Sequence, residues 1–257
     1  MKPKHEIEYT FELPHNIQEL DQDEEYCVLQ LNGQQRKIRF HDYDEIYKIP
    51  GLYEHLFYET LECQSHEVVS SFLKDAVDDV EQAFSDLRIL ELGAGNGLVG
   101  EIFADEGADT IVGVDILEEA AQAAERDRPH VYDEYFVTDL TKPDDTTRAA
   151  LESEDFNCLV CVAALGYGDI PPEAFSEAYN LIDTGGWVAF NIKERFINGS
   201  DASGFSRLIQ HIREEDILDL KMMHRYQHRL SVNGSPLHYV AMIGRKADDI
   251  PEAYFAE

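Results

Sequence analysis

The sequence predicts an α/β protein. Its centre is a doubly wound, mostly parallel seven-stranded sheet closing on an antiparallel C-terminal strand pair, and a small β-rich extension precedes it. Three observations predict this. Ile89-Leu90-Glu91-Leu92 runs straight into the loop Gly93-Ala94-Gly95-Asn96-Gly97, with glycine at every second position, and then into a helix-like segment. A second strand, Thr110-Ile111-Val112-Gly113-Val114, follows and ends in Asp115. From Arg88 onward strand-like and helix-like segments alternate, until two long strand-like segments meet at Asn233-Gly234. A loop of small residues after one strand and a carboxylate after the next is how doubly wound folds hold a ribose-bearing ligand.

The elements follow in order. Cys27 to Leu31 and Lys37 to Phe40 alternate around Asn32-Gly33, a hairpin signal, and Asp21 to Glu25 before them reads as an acidic loop. Residues 1–50 are therefore assigned to an N-terminal hairpin extension and 51–257 to the main domain. Gly51 to Glu62 is an aromatic, helix-like stretch containing Tyr53 and Tyr58. Ser65 is expected to cap an amphipathic helix whose apolar stripe is Val68, Val69, Phe72, Leu73, Ala76, Val77 and Val80. After the strand 88–92, a helix over 98–106 should end at Gly107. The strand 110–114 leads to a helix over 117–126, a third strand at 135–137 leads to Asp139, and a short helix spans 144–152. Cys158 to Val162 makes a fourth strand. Pro171-Pro172 opens a helix to Ile182, with proline tolerated in the first turn. Gly185-Gly186 turns the chain into a fifth strand at 187–192, and a helix over 204–214 precedes the terminal pair, 217–231 and 236–244. Two strands joined so tightly must be antiparallel.

Composition narrows the class. A chain of 257 residues, 44% hydrophobic, suits one large domain or a domain with an extension. No stretch approaches the roughly 20 apolar residues of a membrane helix. The start, Met1 to Glu6, lacks a signal peptide's apolar segment, and the four cysteines follow no disulfide spacing. A cytoplasmic protein without a membrane partner is expected. The 52 acidic and 21 basic residues leave a formal charge of −31, a field that repels phosphate backbones and argues against nucleic acid. The acids are spread along the chain, which suits a solvated surface adapted to high salt; an acidic face for a cationic partner is the alternative. Nine of the 21 basic residues fall between 193 and 246, where either an anion-binding face or ordinary exposed strand positions would account for them.

The spacing of Gly95, Gly97 and Gly100 matches G-x-G-x-x-G, which alone suggests a nicotinamide or flavin enzyme, but the register against the strand is poor. The loop fits acid-x-Gly-x-Gly-x-Gly better, with Glu91 as the acid. A carboxylate there repels a pyrophosphate and suits a ligand carrying an ammonium and a sulfonium. With Glu91 to Gly97, Asp115 after the second strand and Asp139 after the third, residues 65 to 246 resemble the class I S-adenosylmethionine-dependent methyltransferases, which have a Rossmann-like fold with an antiparallel terminal pair. A narrower similarity, to the methyltransferase-like group that includes the Williams–Beuren region protein, is visible in Val131-Tyr132-Asp133 ahead of Asp139-Leu140-Thr141, in Gly166 to Pro172, and in Gly185-Gly186.

The resemblance implies roles. The backbone at Gly93, Ala94, Gly95 and Gly97 would approach the methionine and ribose of S-adenosylmethionine, with Glu91 at the amino-acid end. Asp115 would accept from both ribose hydroxyls and Ile116 would pack on the adenine. Asp139 would take the adenine amino group beside the Leu140 backbone, and Ala163, Ala164 and Leu165 would flank the transferring methyl. Each acid also has a local reading: Glu91 a partly exposed strand end, Asp115 a helix cap, Asp139 a turn cap.

Other constellations are weaker. Cys158 and Cys161 are three apart on a strand, so they point to opposite faces and read as core. His224 and His228 would lie about 13 Å apart at roughly 3.3 Å per residue, too far to share a metal, so no metal is expected. No G-x-S-x-G elbow supports a hydrolase. A substrate should lie beyond the carboxyl ends of the strands, near Tyr167 and Asp169 or Lys193 and Glu194, with Tyr53, His55 and Tyr58 from the preceding helix as further candidates. Gly166 and Gly168 around Tyr167 suggest a movable loop. His55, Asp169 and Glu194 could act as a base, and none stands out as catalytic. The expected function is methyl transfer to a small-molecule acceptor. An NAD(P)-dependent oxidoreductase and a non-catalytic cofactor-binding module are the alternatives.

Overall fold

In the computed structural model, which describes residues 8–14, 20–197 and 204–255, the chain builds a three-stranded and a seven-stranded sheet. The start, Met1 to Glu6, lies outside the described residues. Two compact units emerge: Met1–Gln64 with Gln227–Leu237, and Ser65–Tyr226 with His238–Glu257.

In the first unit, β1 (Tyr9–Glu12), β2 (Tyr26–Leu31) and β3 (Gln34–Arg39) pair antiparallel in that order. Asn32 and Gly33 join β2 to β3 with φ of 51° and 76°, the left-handed pair that matches strand twist in a two-residue turn. The strand β1 is an addition to the expected hairpin. Helices α1 (Tyr43–Tyr47) and α2 (Leu52–Glu54), the latter running on as a π-helical turn His55–Thr60, lie in the same unit. Cys27, Leu29, Ile38 and Phe40 bury against Ile46, Leu52, Leu56, Phe57 and Leu61, so the aromatic stretch that the sequence assigns to the main domain shares this core. Glu25 belongs to no solvated loop. It is buried, its Oε2 accepts from Arg229 Nη2 at 2.5 Å, and its Oε1 accepts from the Val232 backbone at 2.7 Å.

The second unit contains β4 (Arg88–Leu92), β5 (Thr110–Asp115), β6 (Glu134–Val137), β7 (Cys158–Cys161) and β8 (Trp187–Lys193), with the long strands β9 (Leu218–Leu230) and β10 (Pro236–Lys246), apart from their ends within 227–237, completing the sheet. The order is β6-β5-β4-β7-β8-β10-β9. Strands β4 to β8 pair parallel, and β10 runs antiparallel to β8 from Tyr239↔Lys193 to Arg245↔Trp187. The expected fold class therefore holds. The chain winds outward from β4 through β5 to β6 and then crosses to β7. The crevice beyond the carboxyl end of β4 is thus the switch point where ligands of such sheets bind.

Helices α3 (Ser65–Asp78), α4 (Leu98–Asp105), α5 (Glu118–Asp127), α6 (Asp145–Glu152), α7 (Pro172–Asn180) and α8 (Phe205–Glu214) alternate with or flank these strands. Ile89, Ile111, Cys158 and Trp187 join Val69, Leu73 and Phe103 in one core. Leu90, Val112, Cys161 and Val188 join Phe175, Tyr179 and Leu208 in another. Successive strand residues enter opposite cores, which is why β7 reads as an unbroken apolar run and β4 as one broken only by Arg88 at its start and Glu91. The two cysteines divide between the cores as their spacing requires, and burial pushes both thiols up. Asp144 caps α6 by accepting from the Thr146 and Thr147 amides at 2.9 and 3.0 Å. Ser65 departs from its expected capping role: it is the first residue of α3, and its hydroxyl meets the Tyr226 hydroxyl at 2.6 Å. Among the described residues no helix is long and apolar enough to cross a membrane.

Candidate functional site

The glycine loop folds over the end of β5. The amides of Gly93 and Ala94 both donate to the Val114 carbonyl, at 2.8 and 3.1 Å. Gly93 has φ of 72°, and a Cβ there would stand 2.8 Å from the Ala164 Cβ, so only glycine lets β4 turn this close to the chain leaving β7. The Gly95 amide donates to Asp115 Oδ2 at 3.0 Å, and the Leu117 amide donates to Oδ1 at 3.0 Å. Asp115 and the loop thus form one structure at the carboxyl edge. The bond to Leu117 is a local turn ahead of the helix start and not the helix cap of the local reading, since the cap residue of the following helix is Leu117 and no side chain caps it; the bond to Gly95 is what that reading leaves out. Burial raises the Asp115 carboxyl, against the opposing pull of the Leu117, Gly95 and Ile116 amides.

Glu91 lies beneath this loop, 2% exposed, and so is no partly solvated strand end. The Tyr132 hydroxyl donates to its Oε2 at 2.9 Å. Burial is the main reason that its carboxyl is pushed up to about 8; Asp115 adds to the rise, while the Tyr132 bond and Arg128 oppose it. Arg128 itself donates to Glu101 at 3.0 Å and to the Asn96 carbonyl at 3.2 Å.

Tyr132 and Tyr135 are absent from the site residues that the sequence suggests. Their rings meet edge-on at 5.1 Å, and the Tyr135 hydroxyl donates to the Gly95 carbonyl at 2.8 Å. Room for the rings comes from missing side chains: a Cβ at Gly100 would lie 2.9 Å from Tyr132, and one at Gly113 would lie 2.9 Å from Tyr135. Gly100, the third glycine of the dinucleotide-like spacing, thus makes room for a tyrosine. The sequence carried one signal of this, a glycine in the middle of the apolar strand β5, which marks a close approach.

Ile116 is 58% and Val137 40% exposed, and Val137 is the cross-strand partner of Asp115. Two exposed apolar side chains thus sit at the carboxyl ends of β5 and β6. Asp139 follows β6, but its Oδ1 accepts from the Thr141 amide at 3.0 Å and hydroxyl at 2.7 Å, with Lys142 at 3.3 Å from Oδ2. Thr141 is the first cause of its lowered pKa, and the geometry is that of a turn cap. Leu140 is buried in the core.

Beyond β7, Ala163 has a left-handed φ of 56°, and its amide donates to Asn191 Oδ1 at 2.6 Å. A bridge between Gly166 and Ile170 closes the next loop, with Tyr167 (φ 55°) between them. Lys193 donates to the Tyr167 hydroxyl, and the Tyr167 ring packs on Phe196 at 5.3 Å with the Arg195 guanidinium 4.7 Å from its centre. Tyr167 and Lys193 are thus brought together. The loop expected to be movable is cross-linked at its base.

Glu194 is ion-paired with Arg225 at 2.9 Å. In the first unit, Tyr53 and Tyr58 lie 5.7 Å apart within an aromatic cluster, with burial pushing both phenols up, and His55 packs on Phe11 at 4.8 Å. His228 Nδ1 stands 3.7 Å from Cys63 Sγ, whereas the His224 ring packs on Phe72 at 5.1 Å.

A buried and a half-buried carboxylate, a main-chain cradle and a partly exposed apolar edge suit a cationic, hydroxylated ligand with a flat apolar end. Comparison with known proteins agrees. A family model described as a methyltransferase domain matches residues 65–233. The ubiquinone biosynthesis O-methyltransferase of Paraburkholderia phymatum is 29% identical over 108 residues, which make up 42% of this chain and 45% of that protein. Its namesake in Nitrosomonas europaea is 21% identical over 151 residues, 59% of this chain and 63% of that protein. The matches thus span about half to three-fifths of these curated relatives. Among solved structures, N-methyltransferase NodS from Bradyrhizobium japonicum WM9, in complex with S-adenosyl-L-homocysteine, superposes with a TM-score of 0.56 at 14% identity, covering 80% of this chain and 97% of that one. Magnesium protoporphyrin IX methyltransferase from Synechocystis PCC 6803 with bound SAH gives 0.51 at 14% identity, covering 71% and 83%. With the family match spanning most of the chain and the fold shared with these structures, the protein belongs to the class I methyltransferase family.

Proposed function

We propose that this protein transfers the sulfonium methyl of S-adenosylmethionine to a small-molecule acceptor. The observation that carries the reading is the Gly95–Asp115 junction with Glu91 buried beneath it. The residues present fit the cofactor. Arg128, whose charge acts on Glu91, bonds to Glu101 and the Asn96 carbonyl, and the cofactor brings an ammonium and a sulfonium. A nicotinamide dinucleotide would instead place its pyrophosphate beside Asp115 and over a carboxyl at Glu91 that offers it no positive charge, which disfavours the oxidoreductase alternative.

In this assignment Glu91 faces the amino-acid end of the cofactor. The main chain of Gly93, Ala94, Gly95 and Gly97 lies along its methionine and ribose. The Asp115 oxygens, already fixed by two amides, accept from the ribose hydroxyls. Ile116 and Val137 cover the adenine, with Asp139 and the Leu140 backbone at its edge, and Ala163 adjoins the methyl. Tyr167 and Lys193 face the acceptor. The bound cofactor supplies a methyl on a positively charged sulfur, open to in-line displacement. The chain's own part is to bind, orient and exclude water, which is where the rate gain of such a transfer resides. No residue is assigned as a base. The net charge of −31 supports a small acceptor over a polyanion, and the four free, buried cysteines support a cytoplasmic setting.

Calorimetric titration with S-adenosylhomocysteine and with NADP⁺ tests the reading, followed by incubation with methyl-labelled S-adenosylmethionine and a metabolite extract. Binding of the first nucleoside only, and label recovered in a small molecule, is expected. Binding of NADP⁺ with indifference to S-adenosylhomocysteine would overturn the proposal, and binding without turnover would favour the non-catalytic module.

A further inference from the structure

We infer that Asn191 is a positioning residue, which sets the main chain at Ala163 and through it the wall that closes the glycine loop. The inference rests on the cofactor assignment above. Asn191 lies on β8, 0% exposed, and every polar atom of its amide is engaged. Its Oδ1 accepts from the Ala163 amide at 2.6 Å, while its Nδ2 donates to the Ser65 hydroxyl at 2.9 Å and to the Tyr226 hydroxyl at 2.6 Å. The two hydroxyls are themselves 2.6 Å apart. A main-chain amide can only donate, so the oxygen must face Ala163 and the amide has a single orientation. Ala241 stands opposite Asn191 on β10, a small residue in the same buried cluster as Tyr226.

An asparagine in mid-strand, buried and between apolar neighbours, is a costly choice for filling a core. What it obtains here is a left-handed backbone at a non-glycine residue, φ 56° at Ala163, which L-residues avoid unless they are held there. Ala164 comes next, and its Cβ lies 2.8 Å from where a Cβ of Gly93 would be, so the course of the chain at 163–164 decides how much space the loop leaves. Ser65 at the start of α3 and Tyr226 on β9 anchor the amide from the other side. The network therefore ties three separate elements to the residue that adjoins the sulfonium end of the cofactor, and the bonds of Asn191 itself go to Ala163, Ser65 and Tyr226, none of which is assigned to the adenosine end.

That asymmetry gives the test. Affinities for S-adenosylmethionine, S-adenosylhomocysteine and adenosine are measured by calorimetry for the unsubstituted protein, Asn191→Ala, Ser65→Ala and Tyr226→Phe, with thermal melting recorded alongside. Asn191→Ala is expected to weaken both methionine-bearing ligands about tenfold while adenosine binding stays within about twofold, because a displaced backbone misplaces only that end. The two hydroxyl deletions, which leave the Ala163 bond in place and keep the protein folded should Asn191→Ala not be, are expected to move the same ratio in the same direction by a smaller factor. A merely structural network lowers the melting temperature and leaves the ratio of affinities untouched, and that result overturns the inference. Failure of the unsubstituted protein to bind any of the three would instead overturn the cofactor assignment, and this inference with it.

Discussion

Two carboxylates are almost equally buried, Glu25 at 1% and Glu91 at 2% exposure, and their surroundings differ in kind. Glu25 in the first unit has a guanidinium on one oxygen and a backbone amide on the other. Glu91 in the second has a phenol, a second carboxylate close enough to raise its pKa, and an arginine, Arg128, whose charge acts on it while its own bonds go to Glu101 and the Asn96 carbonyl. Burial of a charge is tolerated when a partner is built in. Glu25 is complete and holds residues 227–237 to the β-rich unit. Among the described residues Glu91 has no such ion-pair partner in contact with it and keeps its proton up to about pH 8, at the point where the sheet topology opens a crevice, which marks a site and not a brace.

Breaking Glu25's partnership should have the largest effect. Arg229→Ala strands a buried carboxylate and is expected to cost about 3–5 kcal/mol of stability, read by denaturant unfolding. A loss no larger than that of an exposed pair would erase the contrast. Asp115→Ala comes next and should weaken S-adenosylhomocysteine binding by about 1.5–3 kcal/mol in calorimetry, from lost charged hydrogen bonds. Unchanged affinity would remove Asp115 from the site. Tyr132→Phe takes away the one hydroxyl donating to Glu91 and should cost about 1 kcal/mol of stability while fixing the proton on Glu91 more firmly.

The subtlest test is in pH. Glu91 titrates near 8 in the folded protein and near its ordinary value of 4.5 when unfolded, so between those values the folded state holds a proton that the unfolded state does not. Stability from this group is then full below 4.5 and falls as pH rises towards 8. Melting temperatures of the ligand-free protein and of Glu91→Gln, compared across that window, should show the variant declining less. Parallel curves would mean that Glu91 is already ionised.

The same contrast explains what could be read from the sequence. Glu91, the glycine loop and Asp115 are legible because each closes one strand and the next strand lies alongside in the sheet. Strand boundaries from β4 to β8 follow from apolar runs bounded by glycine and acid. Partnerships between distant residues are not legible: Tyr132 reaches Glu91 across 41 positions, and Arg229 reaches Glu25 across 204. The apolar strand around Asn191 sets it apart from a surface asparagine, but its role is not legible, since that comes from Ser65 and Tyr226. The strand β1, four residues with alternate partial burial, is too short to stand out. Asp139 is the converse case: the spacing matches a motif position, and the carboxylate is at the same time engaged by its own turn.

Asp115 has one further consequence. Both of its oxygens are clamped by amides, at Gly95 and Leu117, before any nucleoside arrives. A receptor already in shape loses little disorder on capture, so the sugar's grip should register mainly as heat. Those two amide hydrogens should also exchange slowly with deuterium in the empty protein.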